Sequence, residues 1–220
     1  MNIFNDLISE NSLCFDVGAN IGKKTDLFLS LGAKVICIEP QINCIDILSE
    51  KFRDNEKIKI VNIALGEKED ELDNFISPSD TVSTMSRDFI EATSLERFKG
   101  IIWDKKEKVK VTTLDNIISE YGLPHYCKID VEGYELEILK GLTKKIKFIS
   151  IEFTPELKNK TFECISTIDK IGEYEYNYSE GESHLFAFDS WKTSEEIIDF
   201  LKENNDFRVS FGDLYAKLIK

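Results

Sequence analysis

Short apolar runs alternate along the chain with stretches of helical period, and this alternation predicts most of the elements. "SLCFDV" (12–17) reads as a buried strand and "GKKTDLFLSLG" as a helix closed by Gly32. "AKVICIEP" (33–40) follows as a second strand stopped by Pro40, "INCIDILSEKF" as a second helix and "KIKIVNIAL" (57–65) as a third strand. Strand, helix, strand, helix, strand implies a parallel sheet with right-handed crossovers. The pattern breaks between Gly66 and Glu107, a polar stretch without a strong period, which reads as an irregular excursion over the rim of the sheet.

"KVKVTTL" (108–114) alternates strictly, as an edge strand does, and a short helix runs on through Tyr121. "YCKIDV" (126–131) is a fourth core strand, "ELEILKGL" a helix and "IKFISIEF" (146–153) a fifth core strand. Beyond about Phe153 the pattern is less regular. A helix is predicted over 162–172, a strand in "EYEYNYS", a hairpin arm in "HLFAFDSW", a helix in "SEEIIDFLKENN" and a final strand over 213–219. No internal repeat or low-complexity linker interrupts the 220 residues, which suit one domain with a variable C-terminal part (153–220).

Composition narrows the partners. The formal charge of −13, from 41 acidic and 28 basic residues, argues against a nucleic-acid backbone or an anionic membrane surface. The five cysteines (14, 37, 44, 127, 164) include no C-x-x-C pair, and an odd, scattered set fits a reducing compartment and core packing. No apolar run approaches the ~18 residues of a membrane span, and the first residues lack a basic leader, so the expected location is the cytoplasm.

The stretch "CFDVGANIG" carries the first chemistry. A buried strand ends at Asp16 and the chain then turns through Gly18, Asn20 and Gly22. The glycines permit a tight turn and a close approach of ligand to backbone, and Asn20 tolerates left-handed geometry. Ligands of open parallel sheets bind beyond the carboxyl ends of the strands. The spacing is G-x-x-x-G, not the dinucleotide pattern G-x-G-x-x-G, and Asp16 would repel a pyrophosphate. Glu39, ending the second strand, can accept both hydroxyls of a ribose. S-adenosyl-L-methionine, with a ribose and an ammonium but no phosphate, fits Asp16 and Glu39 better than a nicotinamide dinucleotide does. A nicotinamide-dependent oxidoreductase and a non-catalytic cofactor-binding module stay open as alternatives.

From about Leu13 to Ile151 the chain resembles the FkbM-type S-adenosylmethionine-dependent methyltransferases through "FDVGANIG", "VICIEP", "VNIALG", "TTLDNII" and "CKIDVEGYELEILKG" in that order. The resemblance implies a Rossmann-like α/β fold, a seven-stranded mostly parallel sheet with helices on both faces. It implies that Asp16, Gly18, Asn20 and Gly22 surround the methionine end of the cofactor, that Glu39 holds the ribose, and that Asn62, Ala64 and Leu65 lie near the adenine. It further implies O-methylation of a hydroxyl on a carbohydrate or other small metabolite.

Asp130 and Glu132 of "KIDVEG" should then face the methyl group, one of them as general base for the acceptor hydroxyl. A hard divalent cation held by these acids and Glu152 is the less favoured reading, and a cap for the following helix the plainest one. Lys128 could neutralise one of these carboxylates but is expected at the surface, and His125 in a structural role. His184, Ser83 and Thr84 are acceptor-side candidates, with solvated loop hydroxyls the simpler expectation for the last two.

Overall fold

The computed structural model describes residues 3–77, 82–95, 97–203 and 211–220. Its main sheet holds β1 (Leu13–Val17), β2 (Lys34–Ile38), β3 (Ile58–Val61), β7 (Tyr126–Ile129), β8 (Phe148–Phe153), β9 (Tyr174–Glu180) and β10 (Gly212–Leu218). The order is β3-β2-β1-β7-β8-β10-β9, with every neighbour pair parallel except the two that β10 makes. The chain builds outward from β1 to β3, then returns to the other side of β1 with β7. The strand order therefore reverses beside β1, where a parallel sheet opens a crevice at its carboxyl ends.

Alternation along the strands supplies two cores, one on each face. Phe15, Val17, Ile36, Ile38, Ile129 and Ile151 face one layer, built from α5 (Leu114–Tyr121), α6 (Glu135–Lys140), α7 (Lys158–Ile171) and α8 (Ser194–Glu203). Cys14, Val35 and Cys37 face the other, where Phe4 and Leu7 of α1 (Phe4–Leu7), Phe28 of α2 (Lys23–Ser30) and Leu48 of α3 (Ile42–Lys51) pack. All five cysteines are buried, as expected of packing residues.

The expected single strand over 57–65 is split. β3 ends at Val61, and Ala64–Leu65 forms β4 of a second, three-stranded sheet in the order β4-β6-β5, with β5 at Asp70–Ile76 and β6 at Lys105–Thr112. The stretch read as an edge strand is thus the middle of this small sheet. Part of the irregular excursion is regular too, for it holds β5 and α4 (Arg87–Thr93), which Ser86 caps by accepting from the Phe89 N–H. Residues 78–81 and 96 of the excursion, and 204–205 of the last predicted helix, lie outside the described residues. "HLFAFDSW" forms no hairpin arm. It runs as an irregular segment tied to β9 by the Ala187 N–H donating to the Tyr178 carbonyl, and Phe186 and Phe188 pack into opposite cores.

Candidate active site

At the carboxyl ends of β1, β2 and β7 lies a cavity of about 440 Å³, a size suited to a small-molecule ligand. Its first wall is the turn after β1. Gly18 has φ +78°, and a Cβ there would stand 1.8 Å from the backbone oxygen of Asp130. Only glycine lets the two loops meet. Asn20 takes φ 49° and its Oδ1 accepts from the Ile21 N–H at 2.7 Å. Gly22, also left-handed, stands behind the wall, because its missing side chain makes room for Leu48 of α3 and for Phe52 just after that helix.

Glu39 is buried in the second wall. One carboxylate oxygen accepts from the Asn20 N–H and the other from the Gln41 N–H, both at 2.9 Å. Burial raises its pKa, and these two backbone donors oppose that rise. Gln41 Nε2 donates to the same oxygen as the Gln41 N–H, at 3.4 Å, so of the roughly four lone-pair sites of the carboxylate the capacity left for a ligand lies on the oxygen that faces Asn20. Ile38, Ile63, Ala64 and Leu65 line the adjoining apolar face. Asn62 does not line the cavity. Its amide donates to the Glu39 and Pro40 carbonyls at 3.1 and 2.9 Å, fixing the loop that presents Glu39.

"KIDVEGYE" builds the opposite end. Lys128 is only 2 % exposed, against the surface position expected, because β7 is central in the sheet and every residue on it is covered. Its Nζ lies 2.5 Å from Asp130 Oδ2. Burial disfavours the Lys128 charge, but Asp130, Asp213 and Asp16 around it outweigh that and raise its pKa. Asp16 itself accepts from Thr25 Oγ1 at 2.6 Å. Past the strand, Glu132 is left-handed (φ 53°) and lines the cavity. The helix begins at Glu135, whose Oε1 accepts the Val131 and Gly133 N–H groups and braces the turn that precedes it.

One oxygen each of Asp130, Glu132 and Glu152 lie within 4.8 Å of one another, a spacing that could hold a divalent cation. Burial, then the neighbouring Asp130 carboxylate, pushes the pKa of both Glu132 and Glu152 well up. Ser83 and Thr84 also line the cavity. Thr84 is buried rather than solvated, its hydroxyl donating to the Glu132 carbonyl at 2.7 Å. His184 stands outside the lining residues, its ring against Phe4 and its Nε2 2.7 Å from Lys24 Nζ. Burial and that ammonium lower its pKa. Sequence reasoning missed Lys24, Asn74, Arg97 and Glu182 on the cavity wall. Lys24 and Glu182 form an ion pair at 2.7 Å across 158 positions, which no local pattern announces.

The FkbM methyltransferase domain matches residues 16–209, from Asp16 of the first wall through the "KIDVEGYE" turn and into the C-terminal part. The chain belongs to this family. It is 26 % identical over 148 residues to the hexuronic acid methyltransferase AglP of Haloferax volcanii, covering 65 % of this chain and 56 % of that protein. The chain thus spans a little over half the length of that curated relative. In fold it is similar to the precorrin-6Y C5,15-methyltransferase of Geobacter metallireducens, with TM-score 0.52, 7 % identity and 98 % and 86 % of the two chains covered. It is also similar to an rRNA methylase of Streptococcus thermophilus, with TM-score 0.50, 10 % identity and 99 % and 93 % covered. The Rossmann-like methyltransferase fold with a seven-stranded, mostly parallel sheet is therefore the fold of this chain. Among the described residues no helix is long and apolar enough to cross a membrane.

Proposed function

We propose that this protein transfers the methyl group of S-adenosylmethionine to an oxygen of a carbohydrate or similar small metabolite. The observation that carries the reading is one continuous cavity with Glu39 at one end and Asp130, Glu132 and Glu152 at the other. The cofactor fits the donor set at the first end. Glu39 keeps capacity for a ribose hydroxyl on the oxygen that faces Asn20, the apolar face from Ile63 to Leu65 suits an adenine, and the side-chain-free Gly18 gives access to main chain. Asp16 and its neighbours offer negative charge for the methionine ammonium. When bound, the cofactor supplies an electrophilic methyl group on a sulfonium.

Glu132 is the base in this reading. Its pKa, raised by burial and by Asp130, brings a carboxylate toward the working pH, where proton transfer is most effective. Asp130, tied to Lys128, orients the methyl acceptor by accepting from it. The hexuronic acid acceptor named for AglP makes a sugar acid the first substrate to test, and the charge of −13 disfavours RNA. A divalent cation held by Asp130, Glu132 and Glu152 is the second reading, favoured by their mutual spacing. The test uses S-adenosylmethionine with an isotopically labelled methyl group and a panel of uronic acids and neutral glycosides. The reading expects label in an acid-stable or ester product with the parent and about 10²-fold less with Glu132→Gln. No transfer to any member of the panel would overturn the substrate class.

A further inference from the structure

Among the described residues four buried polar atoms have no hydrogen-bond partner, and two of them, Asn74 Nδ2 and Glu152 Oε2, belong to residues that line the cavity. An amide N–H shut away from water without a partner is costly, so a buried one on a cavity wall points to a ligand atom that completes it. Asn74 is only 3 % exposed.

Its place in the small sheet decides which ligand. Asp70 of β5 is level with Val111 of β6, and Val111 with Ala64 of β4, beside the apolar face assigned to adenine. Asn74 stands four residues further along β5, about 14 Å at 3.4 Å per residue. There Phe75 bridges Thr84, which puts Asn74 beside Met85, and Thr84 donates to the Glu132 carbonyl. Asn74 therefore overhangs the carboxylate end of the cavity, not the adenine end.

We infer that Asn74 is a specificity residue for the methyl acceptor, its amide N–H donating to an acceptor oxygen while Glu152 Oε2 accepts from a hydroxyl. Hydroxyls both donate and accept, so the pair suits a polyhydroxylated acceptor. This rests on the methyl-transfer reading above.

The experiment is Asn74→Leu, which keeps the branching of the side chain and removes the donor. Three results are expected. The ligand-free variant melts at or above the parent, because an unsatisfied group has been removed. Calorimetry gives the same affinity for S-adenosylhomocysteine within twofold. With D-glucuronic acid and its methyl glycoside as probes, kcat/KM falls about tenfold or more, chiefly through KM. A fall in Tm of more than about 5 °C would mean that the amide is satisfied within the fold, and a tenfold loss of S-adenosylhomocysteine affinity would make Asn74 a cofactor residue. Either result overturns the assignment. If the parent methylates neither probe, the substrate class fails instead, and Asn74 stands or falls on the melting and calorimetry results.

Discussion

Gly18→Ala tests whether the meeting of two loops builds this site. A Cβ at position 18 would lie 1.8 Å from the Asp130 carbonyl oxygen, about 1.2 Å inside the shortest approach such atoms make. Neither partner can swing away. The Gly18 N–H donates to the Ile38 carbonyl at 2.9 Å, and the Asp130 N–H to the Val17 carbonyl at 3.0 Å, so both loops are strapped to the sheet. Left-handed geometry alone costs a non-glycine residue about 1–2 kcal/mol. Displacing a strapped backbone adds to this, for a total of roughly 4 kcal/mol, in the range reserved for severe substitutions.

Gly100→Ala is the internal control, since Gly100 has φ +94° but open space where its Cβ would go. It should lower Tm by about 2–8 °C, the conformational cost alone, at roughly 2–4 °C per kcal/mol for a chain of this size. Gly18→Ala should lower Tm by about 10 °C or more, or keep its Tm by opening the loops and lose S-adenosylhomocysteine binding at least 100-fold. Thermal melting and calorimetry on both variants decide the matter. Should Gly18→Ala melt alongside Gly100→Ala and bind the cofactor product like the parent, the close approach of the loops is not what shapes the site.

Glu39→Ala should weaken S-adenosylmethionine at least tenfold by calorimetry with the fold intact, because the ribose loses a charged partner worth roughly 1.5–3 kcal/mol. Asp130→Asn should cut turnover ~10²-fold while S-adenosylhomocysteine affinity stays within twofold, and unchanged turnover in both Asp130→Asn and Glu132→Gln would remove these acids from the chemistry. Activity should rise with pH through the raised pKa of Glu132 and survive chelation; abolition by chelator with recovery on adding Mg²⁺ or Mn²⁺ would favour the cation reading instead. Buried Asp213 and Glu135, pushed up by burial to about 6 and about 7, are protonated in the fold at acid pH. Their contribution is full below the ordinary carboxylate range and is lost as pH rises through those values, so Tm should fall between about pH 4 and 8. A Tm that rises across that interval would show that these acids ionise without cost.

The parallel sheet was legible because β1, β2, β7 and β8 are largely buried and read as mostly apolar runs without strict alternation. Glycine spacing and two strand-end acids then located the cavity. β5 was not legible, since "DELDNFI" is charged where a core strand would be apolar. Its support comes from across the sheet, where Lys108 of β6 pairs with Asp73 at 2.9 Å. Asn74 was hidden in the same segment, although Leu72 and Asn74 share a face and that alternation was the available signal. Lys128 was misjudged because a lysine is read as exposed by residue type. Its place in a central strand was already evident, and there position overrides type.

β10 lies between β8 and β9, though β9 precedes it in the sequence. As the chain is synthesised, β9 emerges before the one strand of the main sheet that it pairs with, so its tyrosines can settle on α7 and Ile146 while its backbone ladder stays unmade. The nascent chain can assemble β1, β2, β3, β7 and β8 beforehand, including the walls around Glu39 and Asp130, yet its aromatic flank closes only when β10 threads between two waiting edges. A ribosome stalled or stopped before Gly212 would therefore release a protein with a nearly complete cavity and two open strand edges, a substrate for chaperones and proteases rather than a shortened enzyme.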